Sequence, residues 1–419
     1  MIKILFIENR QKLDLLKKLL NAALRIAPVF LKFLVIILFA EVLSLADYGF
    51  FNLIVTSITI GIYLLGVDFY YFSNREIITH KSKAQSLIIS SLIVYVTIYV
   101  IFYIVSTFIS PFDLAERGLL NTLILLIISE HFNQECYRIL ICLKKVYPAN
   151  LIFFFRTSSW TIIVGYLILF GELPDNPILS VLNYWLVSNF LAIVVTLLYA
   201  SFKIKFYQNL FFSIDYGFVV KGLKLSLWVF LGTILLKATE YSARYITEII
   251  LDSEETAIFT YYSTIAIAMN MYINSVVTSF EYPKLVERVK TDAFYKQLSL
   301  FNFSLRVHIA FSGALILLLG FFVTRQLSEE QYLNYYMLLP IMVIGISLMN
   351  ISLGDHFNLY ANKKDKSIIS INIYSGIITI LITTILIYYY GLIGGALSVL
   401  FSGLALLLLR KKQVRIYGL

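Results

Sequence analysis

The sequence predicts an all-α integral membrane protein that crosses the bilayer twelve times, with both termini on the cytoplasmic side. Hydrophobic residues make up 59% of the chain and charged residues only 14%, whereas about a quarter of a soluble domain is charged. Apolar stretches long enough to span the hydrocarbon core recur along the whole chain. Lys and Arg are abundant in every second connection between these stretches and scarce in the others. Together these observations define the fold class.

The predicted spans follow from the apolar stretches and their length. Four stretches of more than 20 residues contain no Asp, Glu, Lys or Arg, namely 84–112, 176–202, 256–280 and 331–354. Residues 367–409 form a longer uncharged run, which predicts two spans with a turn near Tyr390 and Gly391. With the spans that carry isolated charges, the predicted helices cover 20–43, 49–72, 86–110, 118–143, 149–170, 178–202, 223–248, 256–281, 299–323, 332–356, 367–388 and 391–409.

Loop charges test this count. With both termini and every even-numbered connection placed in the cytoplasm, 25 of the 34 Lys and Arg residues lie in cytoplasmic segments. Only Arg117 and Arg325 lie in the opposite loops, which are acidic instead. Because basic loops mark the cytoplasmic side, this alternation supports the count and the orientation. The net charge of +9 is therefore a topology signal, and we expect no nucleic-acid partner.

Several classes of protein lack support in the sequence. No connection is long enough to hold an ATP-hydrolysing domain, and no Gly-rich phosphate loop is present. Cys136 and Cys142 lie too far apart along one predicted helix to form a disulfide, and no metal-ligand spacing occurs. No pair or triad of residues has catalytic spacing. We therefore expect a carrier without cofactor or metal, and not an enzyme.

Two short sequence similarities indicate an internal repeat, which is typical of transporters. Residues 45–51 and 253–259 each open a predicted helix with an acidic or polar residue followed by Phe-containing apolar residues. Residues 138–145 and 357–364 each leave a predicted helix and end in Lys-Lys. The repeat predicts a six-helix bundle over 1–202, a cytoplasmic linker over 203–224 and a second six-helix bundle over 225–419.

Basic side chains inside the apolar stretches point to function. A charge at mid-bilayer costs about 2.5–3.5 kcal/mol on insertion scales, so we expect these groups to line a wet interior. Such an interior suits an anion in transit. The basic residues inside predicted spans are Arg25, Lys32, Arg138, Arg156, Lys237, Arg244 and Arg306.

The chain resembles a known family in several short motifs. These are the acidic-Tyr-Gly-Phe-Phe opening at 47–51, the Gly-Val-Asp-Phe end at 66–69, the Arg-Ile-Leu-x-x-Leu-Lys-Lys exit at 138–145 and the later Arg156. Together with the layout of six and six helices, they look like the Wzx flippases of O-antigen and other surface polysaccharides. Those flippases belong to the multidrug, oligosaccharidyl-lipid and polysaccharide exporter superfamily.

This resemblance implies a MATE-like, V-shaped pair of bundles that works by alternating access in the bacterial inner membrane. The implied substrate is an undecaprenyl-diphosphate-linked oligosaccharide, moved from the cytoplasmic to the periplasmic leaflet. It also implies membrane lipids, a coupling H⁺ or Na⁺, and the polymerase and chain-length regulator of the same pathway as partners. The expected diphosphate ligands are the basic groups of predicted helices 1, 7 and 9, namely Arg25, Lys32, Lys237, Arg244 and Arg306.

Each of these residues also has a purely structural interpretation. Arg25, Arg138 and Arg156 lie near the cytoplasmic edge, where long side chains reach the headgroups. Glu240 is spaced to neutralise either Lys237 or Arg244. Acidic and neighbouring groups form either an ion-coupling relay or a network that ties helices together; they are Glu130, His131, Glu135, Arg138 and Glu240.

Tyrosines near the second cluster of bases have two interpretations as well. Tyr241, Tyr245 and Tyr262 either stack on sugar rings or pack between helices. Two alternatives to the flippase remain. A multidrug or cation antiporter of the same superfamily would share the layout, although its cavity is expected to be acidic or apolar. A membrane polymerase or glycosyltransferase would need clustered catalytic residues on a long outer loop.

Overall fold

The computed structural model describes residues 2–108, 118–204, 214–289 and 293–418, and the described residues are helical, without a strand. The regular α-helices are joined by short turns, among them a 3₁₀ turn at Lys81–Lys83 and π turns at Ala200–Ile204 and Asn274–Thr278. In chain order the α-helices are α1 Ile2–Val42, α2 Leu45–Gly66, α3 Phe69–Thr79, α4 Ala84–Phe108, α5 Leu120–Cys142, α6 Val146–Phe170, α7 Pro177–Tyr199, α8 Tyr216–Ile250, α9 Ser253–Ile273, α10 Ser279–Arg288, α11 Ala293–Thr324, α12 Glu330–Asn334, α13 Leu338–Ile351, α14 Leu353–Ala361 and α15 Asp365–Ile416.

Among the described residues, nine helical stretches are long and apolar enough to cross a membrane. Two further predicted spans, α5 and α9, are less apolar, because α5 carries acidic and amide side chains and α9 is rich in hydroxyl groups. The longest stretch, α15, contains two predicted spans. The protein is therefore an all-α, multi-pass membrane protein, and these segments are compatible with the predicted twelve spans.

Helix α15 changes direction at one glycine. Gly391 has φ 56° and ψ −137° inside the 52-residue element, a conformation that side chains disfavour and glycine adopts freely. This position confirms the predicted turn near Tyr390 and Gly391.

Helix α2 ends earlier than predicted. The expected span over 49–72 is interrupted after Gly66, and α3 begins at Phe69. Val67 and Asp68 between them have φ values of 43° and 50°, in the left-handed region that costs a non-glycine residue roughly 1–2 kcal/mol. The prediction of one continuous helix was wrong here, although Gly66 and Asp68 are residue types that favour a helix end or a left-handed conformation.

The second sequence similarity corresponds to a shared helix ending. Lys144 closes α5 and Lys363 closes α14, and both have positive φ, at 61° and 56°. In each case the following lysine donates its N–H to a carbonyl five residues back, from Lys145 to Leu140 O at 2.8 Å and from Lys364 to Leu359 O at 3.0 Å. This is the Schellman arrangement, usually built with glycine. The repeated sequence thus makes the same backbone turn twice.

The chain forms two compact units. Unit 1 comprises Met1–Phe39 and Ile58–Leu227, and unit 2 comprises Ala40–Ser57 and Trp228–Leu419. Residues 205–213 of the predicted linker lie outside the described residues, and the boundaries predicted at 202 and 225 stay a prediction. Within unit 1, α5, α6 and α7 pack together, and within unit 2, α9, α11 and α15 pack around α13.

Candidate functional site

A carboxylate on α5 is the centre of a buried polar network in unit 1. Glu130 accepts hydrogen bonds from Trp185 Nε1 at 2.6 Å and Asn189 Nδ2 at 3.0 Å, both on α7. Arg156 on α6 places Nη2 3.5 Å from the other carboxylate oxygen. The acid is only 8% exposed. Three polar atoms from two helices therefore converge on one buried carboxylate.

Lys32 on α1 joins this network through an aromatic ring. Its Nζ lies 4.0 Å from the ring centroid of Trp185, and the same indole stacks on Trp160, with centroids 4.7 Å apart. A cation over an indole face is attracted by the ring. Lys32 and Arg156 thus stand near the single carboxylate of Glu130, which leaves one positive charge in excess around it.

His131 and Glu135 belong to a separate network that faces α4. Tyr99 OH lies 2.6 Å from His131 Nδ1, and Tyr95 OH donates to Glu135 at 2.8 Å. Arg138 donates to the other oxygen of Glu135 and lies 3.5 Å from the ring centroid of Tyr70. The structure therefore divides the predicted relay. Its bonds connect Glu130 to α6 and α7, whereas His131 and Glu135 are bonded to α4 and to Arg138.

His131 and Glu135 in this second network lie close together without a hydrogen bond between them. His131 Nε2 lies 3.6 Å from Glu135 Oε1, and within the described chain this buried nitrogen has no hydrogen-bond partner. Proton transfer between the two groups requires only a small approach. Of the expected coupling residues, these two retain the geometry of a relay.

Two expected diphosphate ligands lie on exposed surface. Arg25 on α1 and Arg306 on α11 are both exposed. Lys32 is half-buried, so it and Arg25, although seven residues apart on α1, have different surroundings.

Unit 2 holds the other two expected ligands on α8. Lys237 Nζ lies 2.7 Å from Glu240 Oε2, one turn along the same helix. Lys237 and Arg244 are 5.9 and 5.7 Å from the ring centroid of Tyr241, which lies between them. Glu240 therefore neutralises Lys237 and leaves Arg244 to other partners.

The partners of Arg244 are hydroxyl groups. Its guanidinium donates to Thr56 Oγ1 at 3.0 Å, Ser263 Oγ at 3.1 Å and Thr264 Oγ1 at 3.0 Å. The residue is 6% exposed, and no carboxylate of the described chain forms an ion pair with it. A buried guanidinium surrounded by neutral acceptors keeps its full charge for an anion.

A small cavity with a largely apolar lining lies beside these helices in unit 2. Glu240 and Asn270 contribute a carboxylate and an amide to its wall, and the buried hydroxyls of Thr379 and Thr383 have no partner within the described chain. Ser263, whose hydroxyl accepts a hydrogen bond from Arg244, also lines this cavity. The cavity is thus continuous with the surroundings of Arg244.

The three expected sugar-stacking tyrosines differ in exposure. Tyr241 and Tyr245 are half-buried, and Tyr245 OH lies 2.8 Å from Ser57 Oγ. Tyr262 is fully buried, with ring contacts to Tyr261 and Tyr336. The sugar-stacking role expected for these tyrosines stays a prediction.

Sequence reasoning missed several residues of these networks. Arg410 was counted as a loop charge, yet α15 continues past it and buries it to 4% exposure, with Nη1 2.7 Å from Ser352 Oγ. The ring of Trp185 and the amide of Asn189 were also missed. Only Arg410 had a signal, because it directly follows the uncharged run.

Comparisons with known proteins give the fold a context. No protein-family model matches the chain, and no curated protein sequence does. Among solved structures, an inward-facing multidrug resistance MATE family transporter of the MOP superfamily superposes with a TM-score of 0.73 at 13% identity, over 94% of this chain and 98% of that chain. The lipid II flippase MurJ in an inward closed conformation gives 0.71 at 16% identity, over 95% and 87%.

These similarities show that the chain has the fold of these transporters. One of these proteins is described as a transporter and the other as a flippase. At such low identity the comparison shows the fold alone, and fold does not determine substrate.

Proposed function

We propose that the protein is a flippase for an undecaprenyl-diphosphate-linked oligosaccharide. It moves this lipid from the cytoplasmic to the periplasmic leaflet of a bacterial inner membrane by alternating access. The observation that carries the proposal is the excess of buried positive charge in each unit, around Lys32 in unit 1 and at Arg244 in unit 2. The similarity in fold to a lipid II flippase supports it.

The chemistry of this substrate matches such groups. A diphosphate with about two negative charges would lose several kcal/mol per ion on entering hydrocarbon unaided. Arg244 offers a planar fork for phosphate oxygens, and Lys32 offers a point charge. The lipid tail needs no protein cavity, since it can remain in the bilayer. A carrier for this lipid therefore needs cations at its interior, which both units provide.

The membrane potential favours export of an anion. A negative interior drives each charge outward by roughly 2.3 kcal/mol per 100 mV. We propose that coupling to H⁺ or Na⁺, where present, uses His131 and Glu135, whose facing atoms are 3.6 Å apart. The polymerase and the chain-length regulator of the same pathway are the proposed protein partners.

The test is flipping of a fluorescent undecaprenyl-diphosphate sugar in liposomes, read by a quencher that reaches only the outer leaflet. Lys32→Ala and Arg244→Ala should each slow flipping at least about tenfold, since a charge-assisted hydrogen bond is worth roughly 1.5–3 kcal/mol. Arg325→Ala, at an exposed cation outside the buried networks, serves as the control. Wild-type rates in both alanine variants would contradict the proposal.

The multidrug antiporter remains the second candidate, because the MATE transporters share the fold equally well. The same liposomes loaded with ethidium separate the two functions. Efflux of ethidium without flipping of the lipid would establish the antiporter. We expect the reverse, because an uncompensated guanidinium repels a cationic drug.

A further inference from the structure

The outer half of α2 is fastened inside unit 2. Residues Leu45–Ser57 of α2 belong to that unit, and the remainder of the helix belongs to unit 1. Gly49 lies directly against α9, where an added Cβ would collide with the backbone oxygen of Ser253. Only glycine allows this approach. The loop charges assign this end of α2 to the outer face of the membrane.

One hydrogen bond of this fastening involves the proposed anion ligand. Arg244 Nη1 on α8 donates to Thr56 Oγ1 on α2 at 3.0 Å. Thr56 in turn donates its own hydroxyl hydrogen to Asn52 O at 2.8 Å. The hydroxyl is therefore a pure acceptor toward Arg244, and it is 1% exposed.

The three acceptors of Arg244 come from two helices with different attachments. Ser263 and Thr264 lie on α9, which follows α8 directly in the chain. Thr56 lies on α2, 188 residues away in sequence. The Thr264 hydroxyl on α9 can turn to donate toward an anion without moving its helix, whereas the Ser263 hydroxyl already donates to Thr260 O. The acceptor on α2 has to give up its position if the anion takes the same N–H group.

A phosphate oxygen is a stronger acceptor for a guanidinium than a hydroxyl is. Charge-assisted hydrogen bonds are roughly twice as strong as neutral ones, and Arg binds phosphate through two parallel bonds. A ligand can shift an equilibrium only through different affinities for the two states. Competition for the Nη1 hydrogen provides that difference.

We propose that a diphosphate bound at Arg244 displaces Thr56 and releases the outer half of α2 from α8 and α9. The Thr264 hydroxyl stays beside the guanidinium and becomes a ligand of the diphosphate. Substrate binding thereby unlocks the outer end of α2. This inference rests on the proposed function, since it uses the same anion at the same arginine.

Two valine substitutions of equal chemistry test the displacement. Thr56→Val and Thr264→Val each remove one hydroxyl that lies 3.0 Å from the same guanidinium. Displacement predicts opposite effects on the affinity for inorganic pyrophosphate, measured on the full chain in phosphatidylcholine nanodiscs. Thr56→Val should raise the affinity about tenfold, because no bond has to be broken, and Thr264→Val should lower it about tenfold. A decrease in both variants would indicate a static site and would overturn the inference.

A distance measurement tests the release itself. Spin labels at the exposed positions Ala46 on α2 and Glu254 on α9, with Cys136 and Cys142 replaced by Ser, report the separation of the two helices. Pyrophosphate should add a population at longer distance. Thr56→Val should show part of it without pyrophosphate, and Arg244→Gln should show no response to it. Bound pyrophosphate with an unchanged distance would overturn the inference.

The experiments distinguish a wrong anion site at Arg244 from a wrong release of α2. If pyrophosphate does not bind in an Arg244-dependent way, the anion site of the proposed function is wrong, and the release falls with it. If it binds without moving α2, only the release is wrong. A longer distance caused by phosphatidylglycerol nanodiscs alone would assign the site to a lipid headgroup and overturn its assignment to the transported diphosphate.

Discussion

The two units stabilise their buried charges in different ways. In unit 1, Glu130 and Glu135 on α5 hold Arg156 and Arg138. In unit 2, Arg244 is held by hydroxyl groups, although it is as deeply buried as Arg156.

This difference indicates which buried charges are structural. Removing one member of a buried ion pair strands the other, so paired charges tie helices together. Removing a guanidinium from among hydroxyls leaves no other charge unpaired, and in the native protein its own charge stays available for a ligand. We therefore expect stability to depend on the charges of unit 1 and transport to depend on Arg244.

The largest expected effect is on stability in unit 1. Glu130→Ala leaves Arg156 uncompensated and removes the acceptor of Trp185 Nε1 and Asn189 Nδ2. The free energy of unfolding should fall by about 3–5 kcal/mol, measured by thermal unfolding in detergent. Glu254→Ala, at an exposed acid, is the control and should unfold like the wild type. Equal midpoints for the two variants would refute the contrast between the units.

Replacing one buried arginine in each unit by methionine should have a smaller effect on the free energy of unfolding. Arg244→Met removes a desolvated charge, and two of its three hydroxyl partners keep backbone acceptors, Thr56 with Asn52 O and Ser263 with Thr260 O. The free energy of unfolding should change by less than about 1 kcal/mol or increase, while flipping is lost. Arg156→Met should lose about 1–2 kcal/mol. A greater loss in Arg244→Met than in Arg156→Met would reverse the comparison.

The smallest expected effect concerns the ion pair of Lys237 and Glu240 in unit 2. Lys237 and Glu240 are one turn apart on α8, and their side chains are 17% and 23% exposed. A double-mutant cycle with Lys237→Met and Glu240→Gln should give a coupling energy of about 0.5 kcal/mol or less. The matching cycle at Arg138 and Glu135, whose carboxylate is 3% exposed, should give roughly 1–3 kcal/mol. Similar values for both pairs would show that burial of the acid is not what distinguishes them.

Much of the fold could be predicted, because a membrane imposes simple rules on sequence. Apolar length predicted the spans, and the glycine at 391 predicted the turn inside α15. The break after Gly66 was not predicted, because the β-branched residue Val67 is unusual in the left-handed conformation that it adopts. Such a conformation depends on packing around the break, which local sequence does not encode.

The candidate site was predictable to the level of residue type and helix face. The spacing of Lys237, Glu240 and Arg244 limited their partners to a few choices, and the structure selected the pair Lys237 and Glu240. The spacing of Glu130 and Glu135 did not reveal that they serve different networks. Five residues along a helix turn a side chain by well over a quarter of a circle, so different neighbouring helices receive them.

The amino-acid sequence was sufficient to predict a multi-pass helical membrane protein with cations in its apolar stretches. Hydropathy and loop charge are local quantities, and the bilayer acts on each span separately. Which of those cations are neutralised depends on the tertiary structure. Arg244 meets Thr56 across 188 residues of chain, and Arg410 meets Ser352 across 58. Whether a buried charge finds a carboxylate or a hydroxyl depends on which helices pack together, and helical periodicity fixes only the face that each helix presents.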